Sequence, residues 1–309
     1  MKPAVAIVGS LNMDFVVTVD HLPAPGETVL GRDFVTIPGG KGANQACAAG
    51  RLASPGIGVR MAGRVGYDAF ADHLKASLAA AGVDVSAVNG TRAQPTGVAL
   101  IWVDTSGQNS IVVASGANHA LVAGEAESLR PTLRGARLAL FQLETPIDTV
   151  ERALRIAREE GARTVLDPAP ARPLARELIG LVDILTPNES EACILLGRPG
   201  RSVAVGDAPA LAADVLRLGA KAVILKLGEK GCYFCDGAAS HYAPGFSVEA
   251  RDTTAAGDTF NAALAIALAE DQPMEKALRF ANAAAAISVT RLGAQASIPS
   301  RAEVDQFLR

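Results

Sequence analysis

The chain has 309 residues, 49% of them hydrophobic and 20% charged, with a formal net charge of −3 at pH 7. A chain of this length can bury a large core, and its small negative charge does not favour nucleic acid or an anionic membrane as a partner. The start of the chain lacks the apolar region of a signal peptide, and no apolar run reaches the roughly 18 residues that a membrane-spanning helix needs. We therefore expect a cytoplasmic protein whose partners are small molecules.

Short apolar segments alternate along the chain with segments of helical periodicity. In chain order, the predicted strands are 4–8, 59–61, 138–141, 164–166, 184–185 and 222–225, and the predicted helices between them include 69–80, 149–159 and 208–218. Strands that are apolar throughout are typical of a parallel sheet covered on both faces. We therefore expect an α/β fold with a doubly wound, mainly parallel sheet and helices on both of its faces.

Two regions depart from this alternation. Residues 14–20 and 97–114 are typical of strands, but no predicted helix separates the partners. The segment 231–236 also alternates in polarity and is predicted to be a hairpin strand. It carries Cys232 and Cys235, a lone Cys-x-x-Cys pair without the second pair or nearby His that a zinc site needs. We expect these two cysteines to be structural.

A glycine-rich loop at 38–45, Pro-Gly-Gly-Lys-Gly-Ala-Asn-Gln, precedes a predicted helix at 43–53. Its glycines let the backbone approach a polar ligand and leave Lys41 and Asn44 facing that ligand. The loop is not a Walker A motif, because Gly42 follows Lys41 where Ser or Thr is required. No Gly-x-Gly-x-x-Gly fingerprint of a dinucleotide fold is present either. A plain turn before a helix is the alternative interpretation of these glycines.

A second loop, 252–260, reads Asp-Thr-Thr-Ala-Ala-Gly-Asp-Thr-Phe and opens an Ala-rich helical run. A tight turn of small residues at a helix start has free backbone N–H groups, which attract anions together with the helix dipole. Asp258 would repel a phosphate there, so its carboxylate needs another purpose. A general base that deprotonates a hydroxyl group attacking a phosphoryl group is such a purpose. The alternative is a helix N-cap, where Asp is also favoured.

These two loops resemble the signatures of the PfkB family of carbohydrate kinases, which includes kinases of sugars and of nucleosides. The resemblance covers nearly the whole chain, with motifs in order at 9–14, 25–28, 39–46, 96–99, 142–144, 167–171, 186–189, 252–260 and 293–295. It implies a single catalytic domain, 1–309, in which strands at about 14–37 and 97–115 form a small β-sheet lid over the sugar. Lids pair between subunits in this family, so the resemblance also implies a homodimer.

The resemblance implies an ATP-dependent kinase, and the combination of Asn12, Asp14, Asn44 and Glu144 points to D-ribose, phosphorylated at O5. Asp258 is then the general base, and the backbone amides of Ala255, Ala256, Gly257 and Asp258 form the anion hole. The implied sugar-binding residues are Asn12, Met13, Asp14, Gly40, Lys41, Gly42, Ala43, Asn44, Glu144 and Asp258. Simpler alternatives are a turn for Asn12 and Asp14 and a surface charge for Glu144. A deoxyribose, fructose or nucleoside kinase, or a non-catalytic sugar-binding regulator, is the alternative function.

The resemblance also implies a nucleotide groove and two metal sites. The groove residues are Asn188, Lys226, Leu227, Gly228, Glu229, Lys230, Gly231, Gly257, Asp258 and Asn282. Asn188 and Glu191 organise Mg²⁺ and phosphate, with Glu191 acting through water; the alternative for Glu191 is a solvated helix charge. Potassium is implied at Asp252, Thr254, Ser288, Arg291, Gly293 and Ser297. The chain departs at two groove positions from the members of the family that phosphorylate ribose: Lys226, which resembles fructokinase-like members, stands where those have a threonine, and Asn282 stands where they have a histidine that contacts adenine.

Overall fold

The structure is a computed structural model that describes residues 3–105 and 108–309. Its strands are β1 (Ala4–Val8), β2 (Asn12–Thr18), β3 (Phe34–Gly39), β4 (Gly58–Val65), β5 (Val83–Gly90), β6 (Gly97–Val103), β7 (Asn109–Ala114), β8 (Ala136–Phe141), β9 (Arg163–Leu166), β10 (Ile184–Leu185), β11 (Ala222–Lys226), β12 (Gly231–Cys235) and β13 (Ser240–Pro244). Its α-helices are α1 (Lys41–Leu52), α2 (Ala69–Ala80), α3 (Arg130–Leu133), α4 (Ile147–Glu159), α5 (Arg176–Ile179), α6 (Glu189–Leu195), α7 (Ala208–Leu216), α8 (Ala256–Ala269), α9 (Met274–Ser288), α10 (Ala294–Ser297) and α11 (Arg301–Phe307).

Nine of the strands form one large sheet in the order β13-β12-β11-β10-β9-β8-β1-β4-β5. The neighbours from β11 through β5 pair in parallel, and only the hairpin β12–β13 adds antiparallel strands at one edge. Parallel neighbours require crossover connections, which α1, α2, α4, α6 and α7 help to supply. The predicted mainly parallel α/β sheet is confirmed.

Two hydrophobic clusters cover the two faces of the large sheet. Alternate residues of β1 show the division, since Val5 and Ile7 belong to one cluster and Ala6 and Val8 to the other. The first cluster includes α1, α2, α8 and α9, and the second includes α4 and α7. This alternation in strands buried on both sides explains why they read as continuous apolar runs in the sequence.

A second sheet of four strands, β3-β2-β6-β7, is separate from the large one. Its strands overlap the regions 14–20 and 97–114 that depart from helix–strand alternation, but β2 begins two residues before the first region and β3 ends at Gly39, beyond the predicted 14–37. Register places Asn12 opposite Gly39 on one side and opposite Gly97 on the other. The strand that follows β1 therefore leads directly from the large sheet into the small one.

The predicted strands and helices are present, with shifted ends. The helix predicted at 43–53 begins at Lys41, because Gly40 adopts φ 88° as its N-cap, a conformation that favours glycine. The predicted hairpin strand is β12, where Cys232 is buried, Cys235 is partly exposed, and neither forms a disulfide. In the part of the chain that the structure describes, no cluster of three His, Cys, Asp or Glu side chains could hold a metal. Within the same residues, no helix is long and apolar enough to cross a membrane.

Candidate active site

Polar residues from several of the segments that the sequence analysis marks converge on the carboxyl edge of the large sheet. Ser10 follows β1, Gln142 follows β8, Asp167 follows β9, and Lys226 is the last residue of β11. Helices α1 and α8 begin at the same edge. In open parallel sheets this edge is where ligands bind, because the loops and helix starts there present free polar groups.

Asp258 lies in the first turn of α8 and is buried, with 5% of its surface exposed. Asn44 Nδ2 and Gln45 Nε2, both on α1, donate to its two carboxylate oxygens at 3.1 Å each. Burial raises the pKa of Asp258 to about 6, against a lowering by the Lys41 ammonium and with a further rise from Asp167. A carboxylate with a pKa near neutrality is suited to accept a proton. The N-cap of α8 is Ala255 and not Asp258, so capping does not explain this residue.

The turn before α8 presents unused backbone donors. Ala255 adopts a left-handed conformation with φ 59°, which is costly for a residue with a Cβ atom. Among the residues described, the amides of Ala255, Gly257 and Asp258 have no hydrogen-bond acceptor, whereas the Ala256 amide donates to Thr253 O at 3.2 Å. Three of the four predicted anion-hole amides are therefore free to bind an anion.

Four polar side chains lie on the side of Asp258 that faces the small sheet: Asn12, Asp14, Asn44 and Glu144. Asn12 and Asp14 alternate along β2 and share a face, and Asn44 lies on α1. Burial raises the pKa of Asp14 to about 7, and the charges of Glu144 and Asp258 add to the rise. The carboxylate of Asp14 packs against Gly39, where a Cβ atom would lie 2.1 Å from Asp14 Oδ2. The glycine is therefore required for the position of Asp14.

Neighbouring polar groups hold these side chains in place. Asn118 Nδ2 donates to Asn12 Oδ1 at 2.7 Å and is itself bonded to the backbone of Leu11. Glu144 Oε2 accepts from Ser10 Oγ at 2.5 Å and from the Lys41 amide at 3.0 Å. Sequence reasoning missed Asn118, which no motif marks, and gave Ser10 no role although it stands in the motif at 9–14.

Two observations show that this pocket suits a polyhydroxy ligand. Asn44 Oδ1 is buried and has no hydrogen-bond partner, so an acceptor is available beside Asp258. Lys41 stays charged, because the carboxylates of Asp258, Asp167 and Glu144 raise its pKa although burial lowers it. Carboxylates, amides and a cation in one cleft supply the paired donors and acceptors that sugar hydroxyl groups require.

A groove of about 630 Å³ adjoins the turn before α8. Six of the predicted nucleotide residues line it: Lys226, Gly228, Glu229, Gly231, Gly257 and Asn282. Its apolar walls, which sequence reasoning missed, include Phe246, Val248, Phe260, Ala285 and Val289. A groove with apolar walls that opens onto free amides has the composition of a nucleotide site.

Several predicted site residues direct their side chains elsewhere. Met13 and Ala43 are buried in the first hydrophobic cluster, and Leu227 is buried in the second. Lys230 Nζ donates to Glu189 Oε1 at 2.8 Å and to Val203 O at 2.7 Å, away from the groove. Only the backbones of Met13, Ala43 and Leu227 are therefore available to a ligand. The periodicity of strands and helices explains why Met13 and Ala43 point away from the pocket, because each lies between residues that face it.

Asn282 lines the groove, but its amide nitrogen is engaged. Nδ2 donates to Ala243 O and to Pro244 O, both at 3.1 Å. These bonds fix the end of β13 against α9. The amide nitrogen of Asn282 therefore has a structural role.

Asn188 and Glu191 form a capping box at the start of α6. Asn188 Oδ1 accepts from the Glu191 amide at 2.8 Å, and Glu191 Oε2 accepts from the Asn188 amide at 2.7 Å. Burial raises the pKa of Glu191, with Lys226 lowering it and Asp167 raising it. The pair thus has a structural role at the helix start and lies close enough to the active-site charges to interact with them.

The residues implied for potassium come from two segments that the structure brings together. Asp252 Oδ1 accepts from the Thr254 amide and Oδ2 from the Gly293 amide, each at 2.8 Å. The amides of Arg251 and Asp252 donate to Val289 O at 2.7 and 3.2 Å. The hydroxyl groups of Ser288 and Ser297 bond back to carbonyls of their own helices, at Ala285 and Ala294. Asp252 therefore ties the turn before α8 to the loop before α10.

A buried carboxylate beside free helix-start amides, a polar cleft on one side and an apolar groove on the other define a phosphotransferase of the sugar-kinase class. The chain matches the model of the pfkB family carbohydrate kinases over residues 2–301 and belongs to this family. It is 43% identical over 309 residues to the ribokinase of Haemophilus influenzae, covering 100% of this chain and 99% of the relative. It is 41% identical over 304 residues to the ribokinase of Bacillus subtilis, covering 98% of this chain and 99% of the relative.

Solved structures are similar over the same length. The crystal structure of ribokinase from Thermotoga maritima has a TM-score of 0.89 and 39% sequence identity, and covers 99% of each chain. The structure of Arabidopsis thaliana ribokinase complexed with ribose and ATP also has a TM-score of 0.89, with 33% identity, and covers 100% of this chain and 99% of that one. These matches confirm the fold class predicted from the sequence.

Proposed function

We propose that the protein transfers the γ-phosphoryl group of ATP to O5 of D-ribose, giving D-ribose 5-phosphate and ADP. The observation that carries this proposal is the position of Asp258, buried between the polar cleft and the free amides of Ala255 and Gly257. A group in that place can contact an attacking hydroxyl and the phosphoryl group it attacks. The ribokinases among the relatives, one of them solved with ribose and ATP, support the choice of substrates.

In the proposed reaction Asp258 accepts the proton of the O5 hydroxyl as O5 forms its bond to phosphorus. The bond between that phosphorus and the leaving oxygen of ADP breaks in the same displacement. The free amides of Ala255, Gly257 and Asp258 stabilise the negative charge of the transferring group, and Lys41 adds a positive charge beside it. Asn44 and Gln45 hold the carboxylate of Asp258 in line with the attacking oxygen.

Ribose binding is assigned to the side chains of Asn12, Asp14, Asn44 and Glu144 and to the backbone of 39–44. The unpartnered Asn44 Oδ1 accepts from one sugar hydroxyl. The carboxylates of Asp14 and Glu144 accept from others, with Glu144 held by the Lys41 amide. ATP occupies the adjoining groove, with Lys226 near its phosphates.

Two metal ions belong to the proposal. Mg²⁺ would neutralise the nucleotide phosphates, and the carboxylate of Glu191 is a suitable group to hold it. The described hydrogen bonds of this carboxylate use only Oε2, which leaves Oε1 for the ion or its water. Potassium fits the carbonyl-rich segments around Asp252, whose carboxylate is the only formal negative charge in the predicted set of potassium ligands. The bonds of Asp252 to Thr254 and Gly293 support this assignment, because they join the catalytic turn to the second segment.

We also propose that 1–309 is one catalytic domain, that the small sheet is a lid over the sugar, and that two lids pair in a homodimer. All of β7 is exposed, and large apolar side chains on this sheet face solvent: Phe34, Val35, Leu100, Ile111, Val112 and Val113. An exposed apolar edge of this kind invites pairing with another strand. Light scattering during size-exclusion chromatography should give twice the mass of one chain.

The assignment is tested by incubating the protein with ATP and a panel of free sugars and nucleosides. We expect ribose to give the highest kcat/KM, ahead of deoxyribose, fructose and adenosine. Deoxyribose belongs in the panel because a deoxyribokinase from Salmonella typhi is 33% identical over 305 residues. A higher kcat/KM for any other acceptor would assign the same chemistry to that acceptor, and phosphorylation of none would contradict the proposal.

Removing a sugar-binding group, by Glu144→Ala or Asn44→Ala, should raise KM for ribose about 5- to 150-fold, since an unpaired buried polar group costs about 1–3 kcal/mol. KM for ATP should change little, because the nucleotide groove lies on the other side of Asp258. Initial rates over both substrate concentrations measure the two constants. Equal increases in both would show that these residues support the structure and not the sugar.

Potassium should raise kcat, and sodium should raise it much less. The reason is that the segments joined by Asp252 fix the catalytic turn, and charge stabilisation by its amides depends on their aim. Titration with KCl against NaCl at constant ionic strength in a potassium-free buffer measures the effect. Asp252→Asn should weaken the response. Identical rates in both salts would remove the potassium site while leaving the kinase assignment intact.

A further inference from the structure

A network of buried, hydrogen-bonded polar side chains lies beneath the starts of α1 and α8. Its members come from five distant parts of the sequence: Gln45 on α1, Gln142 after β8, Asp167 after β9, Lys226 at the end of β11, and Asp258 on α8. All lie in the interior, and the Lys226 side chain is 12% exposed. Desolvating so many polar groups is costly unless they bond to one another. Their arrangement therefore has a purpose.

Gln45 connects three other members of this network. Its Nε2 donates to Asp258 Oδ1 at 3.1 Å and to Asp167 Oδ2 at 3.2 Å. Its Oε1 accepts from Gln142 Nε2 at 2.7 Å. Because the nitrogen of Gln142 can only donate, this bond directs the nitrogen of Gln45 to the carboxylates. A single amide group thus holds two buried carboxylates together.

Positive charges flank the two carboxylates. Lys226 Nζ lies 3.0 Å from Asp167 Oδ1, and Lys41 interacts with Asp258 from the sugar side. Lys226 also lines the nucleotide groove, and a methyl group on Gly257 would come within 3.4 Å of its Nζ. Asp167 therefore stands between the cation that faces the nucleotide and the amide that holds the base.

We propose that Asp167 is a positioning residue that couples Lys226, in the nucleotide groove, to the base Asp258 through the amide of Gln45. This inference rests on the proposed kinase reaction. The charge of Asp167 strengthens the base, and the ion pair with Lys226 determines how much of that charge acts on Asp258. An anionic nucleotide phosphate that attracts Lys226 leaves Asp167 less neutralised, so the base is strongest when the nucleotide is bound.

The sign of the coupling follows from the charges around Asp258. Burial raises the pKa of Asp258, Lys41 of α1 lowers it, and Asp167 raises it further, while Asp258 in turn raises the pKa of Asp14 on β2. Glu191 of α6 and Lys226 interact with Asp167 from the groove side. Removing the charge of Asp167 should therefore lower the pKa of Asp258, and removing the charge of Lys226 should raise it.

Two variants, Asp167→Asn and Lys226→Met, test the coupling through the pH dependence of kcat/KM for ribose. The acid limb of the wild type reports protonation of the base. It should move down by about one pH unit in Asp167→Asn and up by a similar amount in Lys226→Met, because one nearby charge typically shifts a buried carboxyl by that much or more. In Asp167→Asn, kcat should fall about tenfold while KM for ribose stays within about threefold.

Asp183→Asn is the matched control. Asp183 pairs with Lys221 at 2.6 Å and also accepts from Thr164, but it precedes β10 at the opposite edge of the sheet. The substitution removes an ion pair outside the site, between a largely buried carboxylate and a lysine that is 64% exposed, so it should lower Tm without moving the acid limb. An acid limb that moved equally in this control would reduce Asp167 to a structural residue.

A titration without substrates separates this inference from the proposed reaction. The ¹³C resonance of the Asp258 carboxyl, identified by its absence in Asp258→Asn, should show the same two opposite shifts in the ligand-free protein. Unchanged titration in both variants would overturn the coupling even if the protein phosphorylates ribose. If Asp167→Asn does not fold, Lys226→Met decides alone, and a missing upward shift overturns the proposal.

Discussion

Replacement of the base, Asp258→Asn, is expected to reduce kcat by about 10²- to 10⁴-fold, the range that loss of a general base typically produces. The amide keeps the shape of the carboxylate but cannot take the proton of the attacking hydroxyl. Ribose and ATP should still bind, because the cleft and the groove keep their other contacts. Steady-state kinetics give kcat, and calorimetric titration gives the two affinities.

The contradicting result for this prediction is a variant that retains more than about a tenth of the wild-type kcat, since general-base loss costs at least about 100-fold. Circular dichroism and Tm serve as the control for folding. Loss of activity together with loss of ribose binding would assign Asp258 to substrate binding instead.

The second large effect is expected from Gly42→Ala in the first turn of α1. A Cβ atom there would lie 2.6 Å from Gly9 C and from Ser10 N, so backbone would collide with backbone. The helix start has to move, and Lys41 and Asn44 move with it. We expect kcat/KM for ribose to fall about 100-fold or more, because misplacement of catalytic groups by about 1 Å has that consequence.

Gly50→Ala, on the same helix, is the matched control. Its Cβ atom would lie 2.2 Å from Ala81 O, again a collision with backbone, but at the end of α1 distant from the cleft. Both variants should lower Tm by several degrees, since overpacking costs about 1–3 kcal/mol. Only Gly42→Ala should lower kcat/KM more than its stability accounts for. Similar kinetic losses in both would mean that α1 acts through overall stability.

The fold was predictable because its signals are local. The apolar strands of the large sheet are buried on both faces and read as continuous runs, and the two glycine- and alanine-rich loops mark helix starts. The strand β5 (Val83–Gly90) was not predicted, because exposed residues interrupt it and it is not a continuous apolar run. The helix α9 was not predicted either, because its Ala-rich sequence has no side-chain cap that marks its start.

Individual site residues were predictable where they stand in a recognisable motif, but the pairs that they form were not. Asp258, Lys41 and Asn44 stand in such motifs. The bond between Lys226 and Asp167 joins residues 59 positions apart, and that between Gln45 and Asp258 joins residues 213 positions apart. Such pairs depend on which strand ends lie side by side, and no single segment encodes that. The capping role of Asn188 and Glu191 is local, and the spacing of three residues is itself the signal for it.

The position of the transferred group tests the central claim most directly. The product formed from D-ribose and ATP is analysed by a proton–phosphorus correlation experiment in NMR, with Asp258→Asn as the control. The proposed geometry predicts that phosphorus correlates with the two protons on C5 and that the control gives almost no product. Correlation with the proton on C1, or ADP formed without any sugar phosphate, would contradict it.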